Sequence, residues 1–285
     1  MKEQGRALTI IVLYFEEADL LQRCIESIEV QNVPSARRIV VDNASATPPP
    51  TLPVGWEILR ADHNGGYAGG MNLALSKCDE QSTVLLVTQD VVFLPGCIQA
   101  LLACSIALPA GHALGPVLQL GGEDRLYSTG GRASRFLLRL SHCTKWSNES
   151  FTLCDWVDGA VLLLDARARK LIKGFDSRYF MYYEDVHAGL ALRAAGGRVA
   201  VCNRAVASQR PGGHANELLR ARNRIILVSS FRGRIAVAVT IVGMFLRSAR
   251  LAGTGNLHDA RTCLAGVARG LGGASVQAGQ AVQRS

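Results

Sequence analysis

Thr83-Val84-Leu85-Leu86-Val87-Thr88-Gln89-Asp90 is an apolar run that ends on a carboxylate. A run with no polar alternation predicts a strand buried on both faces, as in parallel sheets. Upstream, Leu8–Leu13 and Arg38–Val41 are short runs of the same kind, and Trp56–Leu59 is a third strand. Between the first two, Leu20, Leu21, Cys24, Ile25 and Ile28 recur on one helical face. The Pro48–Pro50 run and Pro53 mark a loop, and the glycine-rich turn Asn64–Gly70 opens a helix carrying Met71, Leu73, Ala74 and Leu75. Downstream, Pro95 starts a helix to about Leu108. Ala113 to Leu153, with Gly121, Gly122, Gly130 and Gly131, predicts loops and hairpins. Val161–Leu164 and Arg198–Cys202 are further strands. Tyr182-Tyr183-Glu184-Asp185 leads into a helix that Gly196-Gly197 stops. This alternation predicts an α/β fold, a mostly parallel sheet flanked by helices.

The chain of 285 residues is 48% apolar, enough for one large α/β domain with a tail, and nothing in it is fibrous or disordered in character. We place the domain at about residues 7–215 and a helical basic tail at 216–285. The eight cysteines show no C-x-x-C spacing and are expected as buried free thiols in a reducing compartment. Leu8–Leu13 is too short for a signal peptide, so a cytoplasmic location is expected. The net charge is +8, and from Arg204 onward every basic residue is an arginine, opposed by Glu217 and Asp259. Such an end favours anionic partners such as phospholipid or diphosphate, or is simply a solvated basic face. Ile235–Leu246 is an apolar stretch of about a dozen residues flanked by Arg232, Arg234, Arg247 and Arg250. A bilayer span needs about 20. An interfacial helix on the inner leaflet and an ordinary core helix both remain open.

Ligands of open α/β sheets sit at the carboxyl ends of the strands. Asp42, the Asn64–Gly70 loop and Asp90 all fall there. Asp90 has the chemistry to hold Mg²⁺ or Mn²⁺ against a departing diphosphate, or it is a turn aspartate. Asp42 is placed to accept from a nucleobase, or it forms an Asx turn. Glu184 and Asp185 are ordinary partners of a helix dipole, or one is a general base for an acceptor hydroxyl. The paired glycines GG-x-x-GG match neither a dinucleotide fingerprint nor a P-loop.

The order of these segments is more specific than any one of them. Thr9–Tyr14, Val40–Ser45, Asn64–Asn72, Gln89-Asp90-Val91, Asp158-Gly159-Ala160, Gly174-Phe175-Asp176, Phe180–Val186 and Arg222-Asn223 resemble the inverting glycosyltransferases of family 2, with a GT-A fold, in the rhamnosyltransferase-like branch. The resemblance implies that Tyr14, Glu16 and Asp42 surround the nucleoside, and that the Asn64–Asn72 loop, including Gly66, approaches ribose and phosphates. It implies that Asp90 binds a divalent metal on the diphosphate, Asp158 and Gly159 line the sugar and acceptor pocket, and Asp185 is the base with Glu184 beside it. It implies a UDP-, dTDP- or GDP-linked donor, a glycan or lipid-linked acceptor of the cell envelope, single displacement with inversion, and an enzyme on the inner membrane face.

Three positions depart from that pattern. Thr88 stands where a first metal carboxylate is usual, and His187 replaces a common aspartate. A histidine near the diphosphate is missing from Ala207-Ser208-Gln209-Arg210, leaving His214 as a shifted metal ligand or Arg210 as a direct phosphate partner. Among rivals, a pyrophosphorylase would need a basic glycine loop where Tyr14-Phe15-Glu16-Glu17 stands. A non-catalytic nucleotide-sugar or membrane-surface module would not need Asp90 or Asp185. Nucleic acid is not expected as a partner, because the arginine-rich end has few interleaved aromatics.

Overall fold

The computed structural model describes residues 7–121, 125–211 and 216–272. The chain runs β1 (Leu8–Tyr14), α1 (Ala18–Glu29), β2 (Arg37–Asp42), β3 (Trp56–Arg60), α2 (Gly66–Leu75), β4 (Thr83–Thr88), β5 (Val91–Phe93) and α3 (Cys97–Ala107). It continues through β6 (His112–Leu120), β7 (Leu126–Ser128), β8 (Gly131–Ala133), β9 (Leu140–His142), β10 (Phe151–Leu153), β11 (Val161–Leu164), α4 (Ala166–Ile172), α5 (Glu184–Ala194) and β12 (Arg198–Gln209). Three helices follow: α6 (Glu217–Phe231), α7 (Arg234–Gly253) and α8 (Leu257–Leu271).

The main sheet has the order β10-β12-β6-β11-β4-β1-β2-β3. β3, β2, β1 and β4 are parallel, and β12 is parallel to β6. β11 runs against both β4 and β6, so its first residues lie at the carboxyl end of β4. Alternate residues of the buried strands feed two cores. Ile10, Val12, Leu85 and Val87 pack with Leu21 and Ile25 of α1 and Ile98 and Leu101 of α3. Ile11, Val84 and Leu86 pack with Met71 and Ala74 of α2 and Leu192 of α5.

The segment expected as loops and hairpins contains a central strand, β6. Gly115 and Pro116 hide it in the sequence. A Cβ at residue 115 would stand 3.0 Å from the Val157 Cβ. Pro116 lies opposite Cys202, where the β6–β12 ladder shifts register, the kind of irregularity that tolerates a missing N–H donor. β12 likewise continues past Cys202 to Gln209, which carries Gln209 and Arg210 to the site. The expectation of eight free thiols is corrected at one pair: Cys104 of α3 and Cys202 of β12 are joined, with Cα atoms 6.2 Å apart. Their partners lie 98 residues away in sequence, so no local spacing marks them.

The basic tail is a packed helical unit through residue 272. Asn216 caps α6 by accepting from the Leu219 N–H, and Asn256 caps α8 by accepting from the Asp259 N–H. Gly266 and Gly270 let α8 press against α6, where a Cβ would stand 2.4 Å from the Leu218 oxygen and 2.8 Å from the Arg222 oxygen. Leu227 and Val228 of α6 share a core with Trp156 and Val186. α7 is 20 residues long, longer than the apolar stretch predicts, and its length and composition suffice to cross a bilayer. It is not a core helix: Ile235, Val239, Val242, Phe245 and Leu246 are all exposed.

Candidate active site

The site forms where β1, β2 and β4 end. Gln89 clamps the β1–α1 loop, accepting from the Phe15 N–H at 2.7 Å and donating to the Phe15 carbonyl at 2.9 Å. Glu16 adopts φ +65° and accepts from the Ala46 and Thr47 N–H groups at 2.7 and 3.2 Å. Those two bonds hold its carboxyl below the usual range. A cleft of about 800 Å³ opens beside it, lined by Glu16, Glu17, Asp19, Arg23, Asp90 and Arg210. Arg210 crosses it to Glu17 at 2.7 Å, with both side chains more than half exposed.

Several residues expected around the nucleotide are engaged with the protein's own backbone and side chains. Tyr14 is fully buried, and its hydroxyl donates to the Thr47 carbonyl at 2.9 Å. Asp42 is buried as well: one oxygen accepts from the Ser45 N–H, three residues on, at 2.9 Å, closing the local turn, and the other pairs with Arg60. Asn72 spends both ends of its amide on the Phe175 backbone, at 2.8 Å each. Asn64 accepts from Gly66 N–H and from Asn43 Nδ2, both at 2.9 Å. Asn43, which sequence reasoning did not single out, also donates to the Gly66 carbonyl at 3.0 Å. Gly66 itself has φ +66° and faces Phe180, whose carbonyl accepts from the Tyr67 N–H at 2.8 Å. The glycine loop therefore joins the turn after β2 to the segment that precedes Glu184.

The second half of the site is a cluster of carboxylates. Asp185, partly accessible at the start of α5, accepts from the Gly159 N–H at 2.9 Å and from its neighbour Val186 N–H at 2.7 Å. Gly159 is fixed in turn by Tyr67, whose hydroxyl donates to its carbonyl at 2.8 Å. Asp158 accepts from Ser128 at 2.6 Å. Burial pushes the Asp158 carboxyl up to about 6. Burial and then Asp158 raise Asp185, and burial and then Asp185 raise Glu184. Glu184 is buried with Oε2 unpartnered. Tyr182 and Tyr183 precede it at φ +75° and +72°. Asn223 holds that strained turn by donating to the Met181 and Tyr182 carbonyls at 2.8 and 2.9 Å.

The β8–β9 hairpin packs beside this cluster and brings in His142, which no motif marks. Its ring lies 4.9 Å from Tyr127 and 4.8 Å from Trp156, and Nδ1 is 3.2 Å from the Ser128 hydroxyl. His187, standing where an aspartate is common, packs on Tyr179 and Phe231 with Nε2 3.7 Å from Asp176.

Asp90 receives the Thr88 hydroxyl on one oxygen and Gln209 Nε2 on the other, the latter at 3.0 Å. Among the described residues no three His, Cys, Asp or Glu side chains converge on a metal position, and His214 lies outside them. Mg²⁺ commonly takes one or two carboxylates with substrate phosphates and water. Asp90 fits an ion held jointly with a diphosphate, not one held by protein alone.

The model of glycosyl transferase family 2 matches residues 9–157. A relative from Mycobacterium tuberculosis, an N-acetylglucosaminyl-diphospho-decaprenol L-rhamnosyltransferase, is 24% identical over 66% of this chain and 71% of its own length. Among solved structures, the mannosyltransferase PcManGT of Pyrobaculum calidifontis, in complex with GDP-Man and Mn²⁺, superposes with a TM-score of 0.58 at 16% identity. That match covers 94% of this chain and 88% of PcManGT. GalNAc-T7 with UDP, GalNAc and Mn²⁺ superposes at 0.65 with 10% identity, over 80% of this chain and 48% of its own. The sheet order, the carboxylate pair at the start of α5 and the family match lead to one assignment: the chain is a GT-A-fold glycosyltransferase belonging to glycosyl transferase family 2.

Proposed function

We propose that the enzyme moves a sugar, with inversion, from a nucleoside-diphosphate sugar to a lipid-linked glycan of the cell envelope at a membrane surface. The observation that carries this is Asp185: a carboxylate aimed by two backbone N–H groups, raised in basicity by burial, and set across the end of β4 from Asp90. The mycobacterial relative's name supports a rhamnosyl donor and a lipid diphosphate acceptor; dTDP as the carrier rests on the resemblance of the sequence alone.

The donor diphosphate occupies the cleft between Asp90 and Arg210. The acceptor hydroxyl enters beside Asp158 and attacks the anomeric carbon from the side opposite the diphosphate. As the new C–O bond forms, the proton passes to Asp185 and the old C–O bond breaks toward the nucleoside diphosphate. Arg210, released from Glu17, neutralises the leaving charge. A divalent ion at Asp90, when bound, adds to that neutralisation. Glu184 stays protonated, so Asp185 carries the local negative charge.

The test is release of nucleoside diphosphate from a panel of nucleotide sugars by wild type, Asp185→Asn and Asp90→Ala, with Mn²⁺ and with chelator. Hydrolysis of one donor by wild type, lost in both variants, supports the transferase site and names the donor. Failure of every nucleotide sugar to bind or react would overturn it in favour of a binding module.

A further inference from the structure

Glu217, in the first turn of α6, organises two guanidinium groups from different helices. Arg247 of α7 donates Nε and Nη2 to its two oxygens at 3.1 and 2.9 Å. Arg220 Nη1 stands 3.8 Å from the same Oε1. The carboxylate is 11% exposed, whereas the arginine side chains are 47% and 49% exposed. One buried carboxylate thus holds two half-exposed cations, and the group keeps a net positive charge.

The surroundings of this group are specific. Arg220 acts electrostatically on Tyr127, as do Asp158 and Asp185. Arg247 acts on Tyr183 and on Cys263. Arg224, one turn along α6, donates to the Leu137 carbonyl in the β8–β9 hairpin and also feels Tyr183. On the far side lies the exposed apolar face of α7, which contains no acidic residue and begins and ends among arginines. α7 is fixed to the body by Arg247 and by packing of Ile241 and Met244 on α8. One face therefore stays open, as a helix lying along a leaflet would require.

We propose that Arg220 and Arg247 form the subsite for the diphosphate of the lipid-linked acceptor. This rests on the acceptor class proposed above. Guanidinium groups bind phosphate oxygens through paired N–H donors; Glu217 holds Arg247 by its Nε and Nη2 groups, which leaves the Nη1 edge to face a phosphate, and keeps Arg220 beside it. A diphosphate anchored there would leave its lipid against Ile235, Val239, Val242 and Phe245. Its first sugar would project toward Asp158 and Asp185. Without the arginines, a diphosphate approaching those carboxylates meets like charge.

The experiment compares full-length wild type, the Arg220→Gln/Arg247→Gln double variant and an Arg250→Gln control on two acceptors carrying the same glycan. One is a polyprenyl diphosphate in phosphatidylcholine vesicles, and the other an alkyl glycoside without phosphate. The double variant is expected to raise the KM for the diphosphate acceptor by about tenfold or more. Its transfer to the alkyl glycoside and its donor hydrolysis stay at wild-type level, which also reports an intact fold. Equal loss on both acceptors, or no loss on either, overturns the proposal. A parallel sedimentation arm uses phosphatidylglycerol vesicles lacking diphosphate. If the double variant loses binding there to the same degree, the pair recognises bulk headgroups and the proposal also falls. If wild type hydrolyses donor yet glycosylates no diphosphate lipid, the acceptor class itself has failed. Wild-type transfer with an unaffected double variant removes the arginine subsite alone.

Discussion

Gly66→Ala is the most informative single change. Gly66 has φ +66°, and a Cβ there would stand 1.9 Å from the Phe180 carbonyl oxygen. To reach 3.0 Å, below which Cβ contacts essentially do not occur, Phe180 must retreat by about 1.1 Å. That movement strains or breaks the Tyr67 N–H bond to Phe180 and displaces the turn leading to Glu184 and Asp185. A misplacement of about 1 Å at a reacting group costs on the order of 100-fold in rate, about 2.7 kcal/mol of barrier. Left-handed backbone at a residue other than glycine adds about 1–3 kcal/mol of instability. The assay pairs turnover at saturating donor with urea unfolding. Gly69→Ala is the control: a Cβ there meets nothing within 4 Å, and alanine within a helix stabilises by about 0.5–1 kcal/mol. We expect turnover near one hundredth of wild type for Gly66→Ala and undiminished turnover for Gly69→Ala. A folded Gly66→Ala enzyme working at the wild-type rate would refute the link between the glycine loop and the Asp185 segment.

Asp185 accepts a proton only when ionised, so turnover should rise with pH through a range above that of ordinary carboxylates. Asp158→Asn removes a cause of that elevation and should move the rising limb to lower pH; a pH–rate profile with an unmoved limb contradicts this. Asp185→Asn should lower transfer by about 10²–10⁴-fold while donor binding, measured by calorimetry, persists. Glu184 has a folded pKa above its unfolded value of 4.5, so its contribution to stability is complete below that value and is lost as pH rises through the folded pKa. Glu184→Gln should therefore show a flatter fall of Tm between pH 5 and 9 than wild type, and a steeper fall would count against a protonated Glu184. Asn223→Ala removes two buried bonds to the Met181 and Tyr182 carbonyls and should cost about 2–3 kcal/mol in chemical denaturation, with turnover falling further than stability alone explains.

The parallel half of the sheet was legible because β1, β2 and β4 carry compact apolar runs, and the turns at Asp42 and Asp90 fall where such runs stop. Side-chain roles were less legible. Asp42 has the same sequence context whether it meets a base or closes a local turn, and its hydrogen bonds to Ser45 and Arg60 come from 3 and 18 residues away. Asn72 is spent on Phe175, 103 residues on, a partner that periodicity cannot reveal. β6 was obscured by Gly115-Pro116, whose fitness for a central strand depends on Val157 and on an irregularity in β12. His142 sits in a three-residue strand of a hairpin, too short to leave a pattern, and is placed by Tyr127 and Trp156. The apolar stretch of α7 was visible, but which of its faces stays uncovered depends on α6 and α8.

The reversed direction of β11 has a consequence for how such an enzyme diversifies. Under the proposed function, the donor would meet chain leaving parallel strands, at Gln89, Asp90 and the loop after Tyr14. The acceptor would meet chain arriving at a strand that points the other way, at Asp158 and Gly159, after the excursion through β7, β8, β9 and β10. Length and composition of that excursion can change while the register of β1 on β4 stays fixed. If the proposed function holds, the two substrates are governed by separable stretches of chain, and exchanging residues 125–157 between relatives should alter the acceptor while donor specificity stays unchanged.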